Sequence, residues 1–216
     1  MKKRDMDILK DLQRFRCLTR DQIIELYFHN LKNPINSCNT VLKRMRRDGH
    51  IDVSTHMQPY IYFSSPAPIK KDSAKIPHFL AIAQFYISVQ KVETPQFVVE
   101  PKYGKGYMEP DAFMIWKKAP FFVEIQRSVY SKKVMDEKFK RYMQYYMSNE
   151  WQKESWQPQD KKVFPRVLII TDTRYELPSF SKINFIQVQS VERFIEMAQP
   201  RVNTAIKLDI KKGIRV

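Results

Sequence analysis

Glycine is scarce. Four in 216 residues leave no Gly-rich phosphate loop and no repeat array built on glycine turns. Cysteine is scarcer. Cys17 and Cys38 form no CxxC pair, which argues against a zinc finger or a disulfide framework and leaves both as small apolar residues on helix faces. The four histidines, His29, His50, His56 and His78, include no His-x-His pair. That disfavours a relaxase that works through a histidine-held metal and a tyrosine nucleophile. Long apolar runs are missing too. The longest, Phe79–Val89, is broken by Gln84 and Ser88 and falls short of the roughly 20 residues that span a bilayer. Asp5, Asp7 and Asp11 follow Lys2, Lys3 and Arg4, where a signal peptide would turn apolar. The expectation is a cytoplasmic protein with no membrane partner.

Acidic residues are in the minority: 23 Asp+Glu face 38 Lys+Arg, a formal charge of +15. Such an excess draws a protein to polyanions, and with the membrane set aside the partner expected is double-stranded DNA. At 43% apolar the chain has enough to bury a core, and its length suits one ordinary domain plus a small one.

The polar, proline-bearing stretch Ser64–Ser73 reads as a seam. It divides the chain into residues 1–65, a linker at 66–75, a larger part at 76–200 and a C-terminal tail at 201–216. Before the seam, Ile8, Leu9, Leu12 and Phe15 recur at helical spacing. Thr19 with Gln22 makes a capping box for a second helix, and Asn33-Pro34 opens a third that Gly49 stops. Ile51–Val53 and Tyr60–Phe63 read as a hairpin around Pro59. Three helices and a hairpin predict a winged helix-turn-helix. Its third helix would bury Ile35, Cys38, Leu42 and Met45 and present Asn36, Ser37, Asn39, Thr40, Lys43, Arg44 and Arg47. Small polar groups for base edges, followed by cations for phosphates, suit a recognition helix, with His56 and Tyr60 of the wing beside the backbone.

After the seam the order is helix (Pro77–Val89), three strands (Phe97–Glu100, Met108–Trp116, Phe121–Gln126), helix (Val134–Met147), strand (Val167–Thr171), then strand (Asn184–Val188) and helix (Val191–Ala198). Folding the second and third strands about Lys117-Lys118 places Asp111 opposite Glu124 and Glu109 opposite Gln126, and opposed side chains share a face. A slip of one residue would send Glu124 to the other face. Two close carboxylates call for a cation, and Mg²⁺ or Mn²⁺ is the hard, oxygen-seeking choice.

The Pro110-Asp111 and Glu124-Ile125-Gln126 segments resemble the PD-(D/E)XK nuclease superfamily, whose core runs αβββαβ. The resemblance implies Asp111 and Glu124 as metal ligands together with the Ile125 carbonyl. It also puts Gln126 where a water-orienting lysine is usual, with Lys138 one helix later as the replacement charge. Glu109 or Glu100 would add a further acid. The wider series also includes Pro77-His78-Phe79-Leu80-Ala81, Phe122-Val123-Glu124-Ile125-Gln126-Arg127 and Lys138-Phe139-Lys140-Arg141-Tyr142. It resembles the replication-relaxation family of phage, plasmid and conjugative elements over roughly residues 5–195. The fold expected is α+β, a winged helix-turn-helix followed by an αβββαβ PD-(D/E)XK-like mixed sheet. The function expected is DNA binding with Mg²⁺- or Mn²⁺-dependent cleavage by Asp111, Glu124, Gln126 and Lys138. The rival is a non-catalytic replication or transcription regulator. In it the second part grips DNA or forms a homodimer, and Lys138 or Arg127 neutralises the carboxylates.

Overall fold

The computed structural model describes residues 1–180 and 182–199, and the expected tail, 201–216, lies outside them. Among these residues the fold is α+β, with six α-helices and two sheets.

The first part begins with α1 (Lys3–Arg14), which buries Ile8 and Leu12 one turn apart. A two-residue strand, β1 (Leu18–Thr19), leads into α2 (Arg20–Tyr27). The capping box closes as expected: Gln22 N donates to Thr19 Oγ1 and Thr19 N donates to Gln22 Oε1, both at 3.1 Å. Pro34 opens α3 (Pro34–Arg47), although the Asn33 side chain makes no cap bond. Gly49, at φ +75°, turns the chain out of the helix where a side chain would be strained. The hairpin is β2 (Ile51–Ser54) and β3 (Ile61–Ser64), and β1 pairs with the free edge of β3 to make a three-stranded sheet.

Residue Ile35 corrects the expected buried stripe. It is 51% exposed, and Val41, at 6%, is buried instead, beside Cys38, Leu42 and Met45. Around the start of α3, Leu31 to Asn33, Ile35 and Asn36 are exposed, while Pro34 and Ser37 are half-buried.

The second part runs α4 (Ile76–Gln90), β4 (Gln96–Val99), β5 (Ala112–Trp116), β6 (Ala119–Ile125), α5 (Lys132–Ser148), a 3-10 turn (Glu150–Lys153), β7 (Arg166–Ile170), β8 (Phe185–Val188) and α6 (Val191–Met197). The sheet order is β4-β5-β6-β7-β8, antiparallel from β4 to β6 and parallel from β6 to β8. Side chains alternate across it. Ala112, Met114, Trp116, Phe121 and Val123 join α4 and α6 in one core, while Phe113 and Phe122 face α5 in the other.

The first core does not stop at the seam. Phe15 of the first part packs on Tyr86 and Phe97 of the second, at ring separations of 5.3 and 6.3 Å. Arg14 lies over those rings and donates to Phe97 O at 3.0 Å. Gln22, having capped α2, also donates to Leu80 O of α4 at 2.9 Å.

Candidate functional site

Two surfaces carry chemistry. The first is the outer face of α3. Asn36, Asn39, Thr40, Lys43 and Arg47 are exposed there and Ser37 is half-buried. Arg44 is not presented outward: its guanidinium donates at 2.6 Å to Asp5, whose side chain is buried. Arg47 donates to Asp48 at 2.9 Å. Between α3 and the hairpin runs a groove of about 410 Å³ that includes Arg20, Asn39, Lys43, Arg46, Gln58 and Tyr60, with no carboxylate in its lining. Arg20 also holds the neighbouring Asp21. The sequence reading missed Arg20, Arg46 and Gln58. Arg46 had a signal, because Asn39, Lys43 and Arg46 follow the i, i+4, i+7 spacing of one helix face.

The second surface lies at the end of the β5–β6 ladder. The register is the one expected: Ala112 pairs with Val123 and Trp116 with Ala119, so Asp111 and Glu124 come one step beyond the last pair. Glu124 follows Phe122 onto the α5 face, where its side chain is 2% exposed. Lys138 Nζ donates to Glu124 Oε2 at 2.6 Å, and Tyr142 OH donates to Oε1 at 2.7 Å. Asp111 Oδ2 accepts the Ile125 N–H at 2.6 Å, and Oδ1 lies 3.1 Å from His78 Nε2, at the start of α4. Thus each of the four carboxylate oxygens already meets one proton donor.

Burial pushes the Glu124 carboxyl up to about 6; Lys138 pulls the other way, and the Asp111 charge adds to the rise. Burial works against the Lys138 ammonium, but the attraction of Glu124 outweighs it and its pKa is raised. The hydrogen bond to Asp111 raises the His78 pKa against the opposing effect of burial.

The structure gathers Asp111, Glu124 and Lys138, and it adds His78 and Tyr142. Tyr142 stands four residues after Lys138 and so on the same side of α5. Gln126 is placed differently: its amide Nε2 donates to Tyr175 OH at 2.8 Å and Ser128 O at 3.2 Å. Glu109 pairs with Lys102 at the surface instead of facing Gln126. Among the described residues no group of three or more His, Cys, Asp or Glu is arranged to hold a metal. The carboxylate pair fits Mg²⁺ or Mn²⁺ in donor type and number. Mg²⁺ is commonly held by one or two carboxylates, with water and substrate phosphate completing its shell, and each carboxylate oxygen here keeps a second lone pair.

Residues 64–159 match the model of the replication-relaxation family. The resemblance read from the motifs is borne out over that stretch, which holds His78, Asp111, Glu124, Gln126, Lys138 and Tyr142. The replication-relaxation match begins at the last residue of β3 and leaves α1 to α3 outside it. No curated protein and no solved structure matches the chain. No described helix is long and apolar enough to cross a membrane.

Proposed function

We propose that the protein binds duplex DNA through a winged helix-turn-helix and serves replication or mobilisation of DNA, the role that the replication-relaxation match suggests. The observation that carries this reading is the acid-free groove between α3 and the hairpin, with Arg20, Lys43 and Arg46 converging on it. Phosphates bound there release counterions, so affinity should fall with salt, and each lost contact should reduce the slope by about one. Lys43→Ala with Arg46→Ala is therefore expected to weaken duplex binding and flatten its salt dependence in fluorescence anisotropy. An unchanged slope would remove α3 from the interface.

A second reading is favoured by the Glu124–Lys138 contact. In it the second part is a PD-(D/E)XK-like nuclease domain whose lysine stands on α5. Asp111 and Glu124 would hold Mg²⁺ or Mn²⁺, which supplies Lewis acidity to a phosphodiester when bound. Lys138 neutralises Glu124 and is placed to stabilise developing negative charge. His78 and the Ile125 N–H fix the Asp111 carboxylate. Metal-dependent nicking should disappear in Asp111→Asn, Glu124→Gln and Lys138→Met while duplex affinity holds. Gln126→Lys should bring no gain, since Lys138 already occupies the carboxylate. The absence of metal-dependent cleavage of single- or double-stranded DNA by the parent would refute this reading and leave DNA binding standing.

A further inference from the structure

Gln126 stands where the nuclease pattern expects lysine, yet its amide reaches Tyr175. Tyr175 OH also accepts the Tyr130 N–H at 2.9 Å, and Tyr175 N donates to Gln187 Oε1 at 3.0 Å. This chain of bonds leads from Gln126, two residues after Glu124, into a separate cleft of about 820 Å³ beyond the C-terminal ends of β7 and β8. Crevices at the carboxyl ends of parallel strands are the usual ligand sites of open α/β sheets. The cleft has arginines on two walls, Arg174 after β7 and Arg193 on α6, with Tyr175, Leu177, Gln187 and Met197 between them. Asp172 and Glu176 lie at it too, but Glu176 is tied to Lys132 at 2.7 Å. Arg193 shares its charge with Glu196, and Arg174 has no ion pair among the described residues.

We propose that this cleft seats nucleotides of a single DNA strand beside the carboxylate site. Arg174 and Arg193 take phosphates, Tyr175 and Leu177 offer a surface for a base, and Gln126 positions the tyrosine. Aromatic surfaces with flanking cations suit single strands because every base presents a π-face. The volume holds more than one nucleotide and lies within the ordinary range of ligand pockets. The inference rests on the second part being a DNA-handling domain, but it does not require cleavage.

The test uses the full chain, a fluorescein-labelled oligothymidylate of about twelve nucleotides and a duplex of matched length. Arg174→Ala with Arg193→Ala should weaken oligothymidylate binding roughly tenfold or more while changing duplex affinity little. Both side chains are exposed, so the fold should tolerate the change, and circular dichroism checks it. Tyr175→Phe, which loses the hydroxyl held by Gln126, should weaken single-strand binding in the same direction. Lys43→Ala with Arg46→Ala should do the reverse, losing duplex and keeping oligothymidylate. The cleft is overturned by a parent that ignores the oligothymidylate, or by an arginine variant that binds it as tightly as the parent. Equal losses on both DNAs also overturn it, because the arginines would then act only as general charge. Loss of duplex binding by the parent would instead overturn the winged-helix reading.

Discussion

Asp5 and Arg44 show how a residue's burial decides its work. Arg44 belongs by type and spacing with the exposed cations of α3, yet its guanidinium is spent on a carboxylate that is 1% exposed. The same Asp5 oxygen accepts the Lys2 N–H at 3.1 Å, while Oδ1 has no partner. Removing Arg44 would leave a buried charge short of its main donor, a loss of about 1–3 kcal/mol, held toward the lower end because Arg44 itself is partly exposed. Arg44→Ala is therefore expected to lower the urea midpoint and leave the salt slope of duplex binding nearly unchanged. That is the opposite of Lys43→Ala with Arg46→Ala, and a flattened slope with unchanged stability would return Arg44 to the interface. Nothing local separates Arg44 from Arg46 or Arg47. The difference comes from Asp5 of α1 lying within reach of Arg44, a tertiary fact. Lys138 was legible through the family resemblance, which drew attention to a charge one helix after Glu124-Ile125-Gln126, and the packing of α5 on the sheet brings its Nζ to Glu124.

At the scale of elements, the β5–β6 hairpin sets the geometry of the carboxylates. Its two turn residues, Lys117 and Lys118, sit at φ +49° and +61°, the pair of left-handed conformations that a two-residue hairpin needs and that Asn-Gly supplies at least cost. Lys117 compensates through contacts: its N–H donates to Glu93 at 3.2 Å and its ammonium to Ala198 O at 3.1 Å. Lys118 is exposed. Lys118→Gly is therefore expected to stabilise the protein by about 0.5–1 kcal/mol, because glycine adopts this conformation without the Cβ penalty. Chemical denaturation measures it, and a destabilised variant would mean that Lys118 contributes a contact worth more than its strain. The register around this turn was readable because two apolar strands flank a polar pair of the length that a two-residue hairpin turn needs; the apolar pattern itself, present on both faces, would not have excluded a slip. Strand β1, two residues long, has no period to read and exists only because β3 offers an open edge. The exposed Ile35 has a similar origin, since helical spacing says which face is apolar but not where the neighbouring helices end.

At the scale of the molecule, the seam at residues 64–73 and the continuity of the core point in different directions. Composition marks the seam as polar and proline-bearing, and most of its backbone lies outside regular structure. Yet Ala67 and Ile69 pack against the core and Lys71 pairs with Asp52 at 3.0 Å. The Phe15–Tyr86–Phe97 cluster and the Gln22–α4 bonds join the two parts as well. Composition does not register such contacts, because residues far apart in sequence supply them. Full burial of each large apolar side chain contributes about 1.5–3 kcal/mol, so several at one seam bind the parts firmly. A protease should still cut first among the exposed residues at 70–75, where backbone is accessible. The two fragments are then expected to leave a size-exclusion column together at micromolar concentration and to unfold in one transition. Residues 1–65 made alone should expose Phe15, Leu18 and Ile23 and lose cooperative melting. Two separate peaks, each melting cooperatively, would show that the cluster is a contact between independent units. In that case duplex binding at α3 would run without mechanical connection to Asp111. If the fragments stay together, α4 links the two surfaces: it carries His78 against Asp111 at one end and accepts Gln22 two residues further on, at Leu80 O, so the α3 face and the carboxylate pair are held as one body.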